Sequence, residues 1–222
     1  MGASFPHEVC VLTGNPIRGG IAALGETERE RHAAPRLLVM GGSQGARAIN
    51  NMVISMLPEL RKAGIDLLHQ TGANEYDDVR RRYLEAGLSA EETDRIVHPF
   101  IHDMAKAYAE CDLALCRAGA TSMAELAATG TPAVFIPFPF AAHDHQTSNA
   151  RAMQEAGGAV LLPQKDAEKL AAEGKLAPML IDLLNDEARL AAMRKGALSL
   201  ARPDAADAVA AQLLALAGDT SK

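Results

Sequence analysis

Short unbroken apolar runs alternate along this chain with longer segments in which apolar residues recur every three or four positions. The runs fall at 8–13 (EVCVLT), 36–40 (RLLVM), 67–70, 95–98, 112–116, 133–136 and 159–162. They have strand length and are rich in Leu, Val and Ile, as strands buried on both faces are. Turn formers punctuate them: Gly14-Asn15-Pro16, Gly41-Gly42, Thr71-Gly72 and Pro99. Between the runs, Ile49, Met52, Val53, Met56 and Leu60 mark one buried helix face, with Pro58 bending or ending its last turn. Tyr76, Val79 and Tyr83 mark a helix over 75–86, and Met104 and Tyr108 mark another. Helices are expected at 121–129 and 149–156. From 166 to 216 an alanine- and leucine-rich helical region is broken at Gly174, Pro178 and Pro203. Strands and helices alternating at such short intervals leave right-handed crossovers and a parallel sheet. The expected fold is α/β, a Rossmann-like doubly wound parallel sheet.

Composition narrows the function. The 222 residues, 48% hydrophobic, suit one domain with extensions. A net charge of −6 with both signs interspersed argues against nucleic acid as the main partner. Cys10, Cys111 and Cys116 have neither paired nor metal-ligand spacing, which suits a reducing cytoplasm. The longest apolar runs are far shorter than a membrane span, and no signal peptide is expected at the start.

The candidate chemistry gathers in residues 113–149. There a strand leads through Gly119-Ala120-Thr121-Ser122 into a helix, and small residues leave its first N–H groups open to an anion such as phosphate. Glu125 follows one turn later, an acceptor suited to a sugar hydroxyl. Beyond the next strand, Pro137-Phe138-Pro139-Phe140 stiffens the exit, and His143-Asp144-His145-Gln146 collects four polar side chains on an expected loop. A second glycine loop, Gly41-Gly42-Ser43-Gln44-Gly45, also joins strand to helix. It is not the dinucleotide fingerprint, because Ser43 takes the place of the second glycine, and no Lys-Ser/Thr follows as in a Walker loop. It suits either a phosphate cradle or a tight turn, and Arg18 is either a surface arginine or a ligand group. Arg80, Arg81 and Arg82 read as a solvated face. Pro99 prevents His98 and His102 from sharing a helix, and His143 and His145 suit hydrogen bonding to a polyhydroxylated ligand better than zinc. No metal or cofactor is expected. The pattern indicates a nucleotide-sugar pocket.

TGNPIR (13–18), GGSQGAR (41–47), FIHDMAKAY (100–108), CRAGATSMAELAATGTPAVFIPFP (116–139) and DHQTSNA (144–150) together resemble the bacterial MurG family of N-acetylglucosaminyltransferases. The resemblance runs in order from about residue 9 to the end. It implies the C-terminal, donor-binding half of a GT-B glycosyltransferase, with lipid I held by an N-terminal domain that these residues do not match. The implied division is a lead-in at 1–8, a linker at 9–34, a Rossmann-like UDP-N-acetylglucosamine domain at 35–200, and a C-terminal helix and tail at 201–222. The full-length protein would sit peripherally on the cytoplasmic side of the bacterial inner membrane.

By position, the resemblance implies that Ile101 meets uracil through its backbone. It lays Ala120, Thr121 and Ser122 against the nucleotide, has Glu125 accept from the ribose hydroxyls, and binds phosphate through Ser43 and Arg18. Gln146 would read the N-acetylglucosamine hydroxyls, with Asp144 and His145 close by. His143 departs from the family, which commonly has aspartate there. The catalytic base would lie in the other domain. With no D-x-D metal motif, fixed donors would meet the charge developing on departing UDP. A helix N-terminus contributes about 0.3–1 kcal/mol, up to roughly 2, and a hydrogen bond to a charged group about 1.5–3 kcal/mol. Two alternatives compete: the nucleotide-sugar-binding subunit of a two-chain glycolipid N-acetylglucosaminyltransferase, and a UDP-sugar epimerase, which would be longer and would carry acidic catalytic residues.

Overall fold

The computed structural model describes residues 10–27, 32–42, 45–141 and 144–219. Six strands form one sheet: β1 (Arg36–Met40), β2 (Asp66–Gln70), β3 (Val97–His98), β4 (Leu113–Cys116), β5 (Ala133–Phe135) and β6 (Ala159–Leu161). Their order is β3-β2-β1-β4-β5-β6, and every neighbouring pair is parallel. This is the expected doubly wound sheet, with the order reversing between β1 and β4.

The helices are α1 (Gly19–Ala22), α2 (Arg47–Lys62), α3 (Tyr76–Glu85), α4 (Ala90–Ile96), α5 (Met104–Glu110), α6 (Ala120–Ala128), α7 (His145–Glu155), α8 (Gln164–Ala172), α9 (Leu176–Asn185), α10 (Glu187–Leu198) and α11 (Ala205–Asp219). They cover both faces, and the period of two along each strand sorts the core into two layers. Leu37, Val39, Leu113, Leu115, Val134 and Ile136 face the α2, α3, α4, α8 and α9 side. Leu38, Met40, Ala114, Cys116, Ala133 and Phe135 face α5, α6 and α7, where small side chains are common.

A buried polar chain ties the first turn of α2 to the end of β2. Asn50 Nδ2 donates to the Thr71 carbonyl at 3.1 Å, which turns Asn50 Oδ1 toward His69 Nε2 at 3.0 Å. Nε2 therefore carries the proton, and Nδ1 accepts from the Tyr83 hydroxyl at 2.8 Å. Burial pushes the His69 pKa down to about 3, so the ring is neutral.

Several expectations are corrected. Residues 10–13 form no strand, and 8 and 9 lie outside the described residues. The sheet edges are β3 and β6, whereas the residue after this segment, Gly14, lies against Arg202 and Ala205 at the entry to α11. Most of the expected strand at 95–98 shrinks to the two residues of β3, because Ser89 and Glu92 close a capping box that starts α4. Pro58 does not end α2, which runs on to Lys62. Pro178 does not break α9, since it occupies the third position of the helix, where no internal N–H bond is required. The break falls at Asp186 instead, whose carboxylate caps α10 through the Arg189 N–H at 2.9 Å. The segment expected as a polar loop up to 148 is also shorter: α7 begins at His145.

Candidate functional site

β1 and β4 lie side by side with Met40 paired to Cys116. The glycine loop after β1 and the turn after β4 therefore leave the sheet from adjacent points, at the crevice where the strand order reverses. The loop closes onto β2: at Gly45, φ is +77° and a Cβ would lie 2.7 Å from the Thr71 carbonyl oxygen, so only glycine fits. Ser43 lies outside the described residues. Arg47, the first residue of α2, is exposed and paired with Glu75 at 2.8 Å.

The turn after β4 opens α6 without a side-chain cap. Gly119 is the N-cap, extended at φ −65° and ψ 147°. Ala120 and Thr121 are exposed and Ser122 is half-buried, and the N–H groups of this first turn have no capping side chain. The 13–18 segment reaches this helix start through Asn15, whose Nδ2 donates to Thr121 Oγ1 at 3.3 Å. Arg18 follows as the exposed N-cap of α1, which packs against α5 and α6.

Glu125 is half-buried one turn into α6, and its Oε2 accepts from the Tyr108 hydroxyl at 2.9 Å. Tyr108 is completely buried on α5. Burial first, and the charge of Glu125 second, hold its phenol well above the usual tyrosine range. It therefore remains a protonated donor. Ile101 lies in the loop leading to α5, with its backbone N–H given to Gln70 Oε1 at 3.2 Å.

On the other side of α6, Asp144 adopts left-handed backbone (φ 53°) and starts α7. His145 and Gln146 thus occupy the first turn of a helix. Gln146 Oε1 accepts from the Phe138 N–H at 2.9 Å, which turns its amide NH2 away from that backbone. Asn149 Nδ2 donates to the Ala118 carbonyl at 3.0 Å, fastening α7 to the turn before α6. Arg117 holds the exit of β5, donating to the carbonyls of Ile136 and Pro137 at 2.9 and 3.0 Å and to Gln164 at 2.8 Å. Its guanidinium also lies over the Phe138 ring, 5.5 Å from the centroid. His143 lies outside the described residues.

Ala120, Thr121, Ser122 and Glu125 thus lie in the first turns of α6, with Asp144, His145 and Gln146 at the start of the adjoining α7, Ile101 at the entry to α5 and Arg18 at the start of α1. Sequence reasoning missed the supporting residues Tyr108, Arg117, Asn15, Gln70 and Asn149. All but Gln70 lie inside the motifs that carried the resemblance, which was the available signal. A cavity of about 350 Å3 over β1 and β2 reaches Ile101 and α5, and its charged wall includes Arg36, Asp66, Arg95 and Glu110. Those four are already joined in ion pairs of 2.9–3.4 Å, which leaves the crevice as the better candidate.

Comparison with known proteins agrees with this fold. Residues 36–209 match the glycosyltransferase family 28 C-terminal domain. A UDP-N-acetylglucosamine--N-acetylmuramyl-(pentapeptide) pyrophosphoryl-undecaprenol N-acetylglucosamine transferase of Nitratidesulfovibrio vulgaris (strain DP4) is 48% identical over 225 residues, covering 100% of this chain and 59% of the relative. The transferase of the same name from Halorhodospira halophila is 48% identical over 89% of this chain and 54% of its own length. The chain therefore spans little more than half the length of these relatives. Among solved structures, Acinetobacter baumannii MurG superposes with a TM-score of 0.66 at 33% identity, covering 85% of this chain and 51% of that one. A spinosyn rhamnosyltransferase complexed with thymidine diphosphate shares the fold at 18% identity, with a TM-score of 0.53. The resemblance to MurG is borne out, as is the half GT-B architecture. This chain belongs to glycosyltransferase family 28, carries that family's C-terminal domain, and is similar to its MurG transferases.

Proposed function

We propose that this chain binds UDP-N-acetylglucosamine across the ends of β1 and β4, as the donor side of a transferase that glycosylates lipid I. The observation that carries this reading is the uncapped start of α6 at the strand-order reversal, with Glu125 held one turn behind it. In this reading the diphosphate lies against the N–H groups of Ala120, Thr121 and Ser122, with Arg18 and Ser43 adding donors. Glu125 accepts from the ribose hydroxyls. Because Gln70 takes the Ile101 N–H, the carbonyl of Ile101 is the group that meets the base, an acceptor for the N3–H of uracil. Gln146 turns its NH2 to the sugar, with Asp144 and His145 beside it.

The chemistry follows from charge. In an inverting transfer the acceptor oxygen bonds to the anomeric carbon as the bond to UDP breaks, and the acceptor proton goes to a base outside these motifs. Negative charge grows on the departing diphosphate, so donors already fixed toward it act more strongly in the transition state than on bound donor. The undecaprenol-linked acceptor named for the relatives would place the working protein peripherally at the cytoplasmic membrane face. Among the described residues no helix is long and apolar enough to cross a membrane.

Thermal denaturation with added UDP-N-acetylglucosamine or UDP-glucose tests the reading. The expected result is a concentration-dependent rise in Tm with the former and a much smaller one with the latter. Equal shifts would remove the sugar assignment, and no shift with either would remove the nucleotide site.

A further inference from the structure

Glu125 has three side-chain torsions, and a carboxylate that must first be ordered binds a diol more weakly than one already in place. The structure supplies the ordering group from a different helix. Tyr108 projects from α5, is completely buried, and donates its hydroxyl to Glu125 Oε2 at 2.9 Å. The hydroxyl also lies 3.8 Å from the Met40 sulfur, a weak acceptor. A hydrogen bond to a carboxylate is charge-assisted and therefore the stronger of the two. Burial keeps the phenol protonated, so it donates to Glu125 and does not compete for the ligand's hydroxyls.

We propose that Tyr108 is a positioning residue for donor binding: by holding one carboxylate oxygen of Glu125, its hydroxyl presents the other to the ribose diol. The inference rests on the reading of Glu125 as the ribose acceptor. It also links two parts of the ligand, because Tyr108 and the base-side Ile101 belong to one segment, the loop and helix of α5. A nucleotide that seats its base against Ile101 would meet a carboxylate aimed from the same rigid piece.

Calorimetric titration of UDP and 2′,3′-dideoxyuridine diphosphate into the 222-residue chain and its variants separates the possibilities. The unaltered chain should prefer UDP by roughly tenfold or more, and Glu125→Ala should abolish that preference. Tyr108→Phe, which keeps the ring, should weaken UDP by about three- to tenfold while leaving the dideoxy ligand within about twofold. Adding Tyr108→Phe to Glu125→Ala should cost nothing further, because the hydroxyl acts only through the carboxylate. If Tyr108→Phe weakens both ligands equally, or neither, while Glu125→Ala still removes the preference, Tyr108 is only a packing residue. If Glu125→Ala leaves the preference intact, the ribose assignment itself fails. Should Tyr108→Phe not fold, 3-fluorotyrosine at position 108 keeps the hydroxyl. Its fluorine resonance should move with UDP and not with the dideoxy ligand, and equal movement with both overturns the proposal.

Discussion

Two neighbouring helices on the same face of the sheet begin in opposite ways. At the start of α5, Asp103 turns its carboxylate back onto the Lys106 N–H at 3.0 Å, so the helix supplies its own anion. At the start of α6 the N-cap is Gly119, with no side-chain hydrogen bond. A capping side chain is worth about 0.5–2 kcal/mol over alanine, and a glycine there loses only a few tenths. The α6 arrangement is thus only slightly less stable than a capped one, and it leaves the positive end of the helix for something else. In the proposed reading, a ligand anion takes at α6 the place that the Asp103 carboxylate fills at α5.

Giving α6 the kind of start that α5 has is the most damaging test. A Cβ at Gly119 meets nothing within 4 Å and its backbone is ordinary, so Gly119→Asp should fold. Its carboxylate would occupy the donors that a diphosphate needs. UDP affinity should fall about a hundredfold, roughly 3 kcal/mol, while Tm stays level or rises by about 1 °C. Unchanged affinity by calorimetry would detach the diphosphate from α6.

The next effect sharpens the contrast one turn deeper. Glu125→Ala should weaken UDP-N-acetylglucosamine and uridine alike by about 1.5–3 kcal/mol, since both keep the ribose. If uridine binds as before, the carboxylate serves another group.

Removing the cap on α5 should do the reverse of blocking α6. Asp103→Ala should cost about 1 kcal/mol of stability, a Tm loss of about 2–4 °C for a chain of this size. UDP affinity should change less than about threefold. A tenfold loss in the same titration would show that the start of α5 belongs to the ligand site after all.

The smallest effect is expected at the third helix start. Gln146→Ala should weaken UDP-N-acetylglucosamine by about 0.5–1.5 kcal/mol, the range for a neutral hydrogen bond, with UDP unaffected. Equal losses for both ligands would assign Gln146 to the Phe138 contact alone.

What could be read from the sequence follows the range of the forces involved. An apolar run is a local signal, so β1, β2, β4, β5 and β6 were legible, and the parallel sheet followed from their spacing. The helix start at Gly119 was legible for the same reason. α4 was missed although its signal was local, because Ser89 and Glu92 were not recognised as a capping box. The start of α7 was hidden more deeply: it depends on Asp144 adopting a positive φ, which aspartate permits without requiring. Least legible were the contacts that fix the site residues. Tyr108 meets Glu125 from another helix, Gln70 reaches Ile101 from another strand, and Arg117 joins the ends of β5 and α8. Such pairings arise only once the chain has been wound, so the sequence pointed to the candidate site groups and not to what holds them.

The unequal padding of the two faces of the sheet also bears on which changes this domain can tolerate. One face is filled by Leu37, Val39, Leu113, Leu115, Val134 and Ile136, where shortening a side chain opens a void and costs stability far from the crevice. The other sets Ala114, Ala118, Ala127, Ala133, Ala150 and Ala159, which have no methylene to lose, among Leu38, Met40 and Phe135. At those alanines the available mutation is enlargement, and an added methyl group displaces its neighbours. Those neighbours include α6 and α7, the helices whose starts carry most of the candidate site residues. Drift on the first face should therefore be recorded as lost thermal tolerance. Drift on the second should cost stability as well, and should also shift the helices that hold the proposed site.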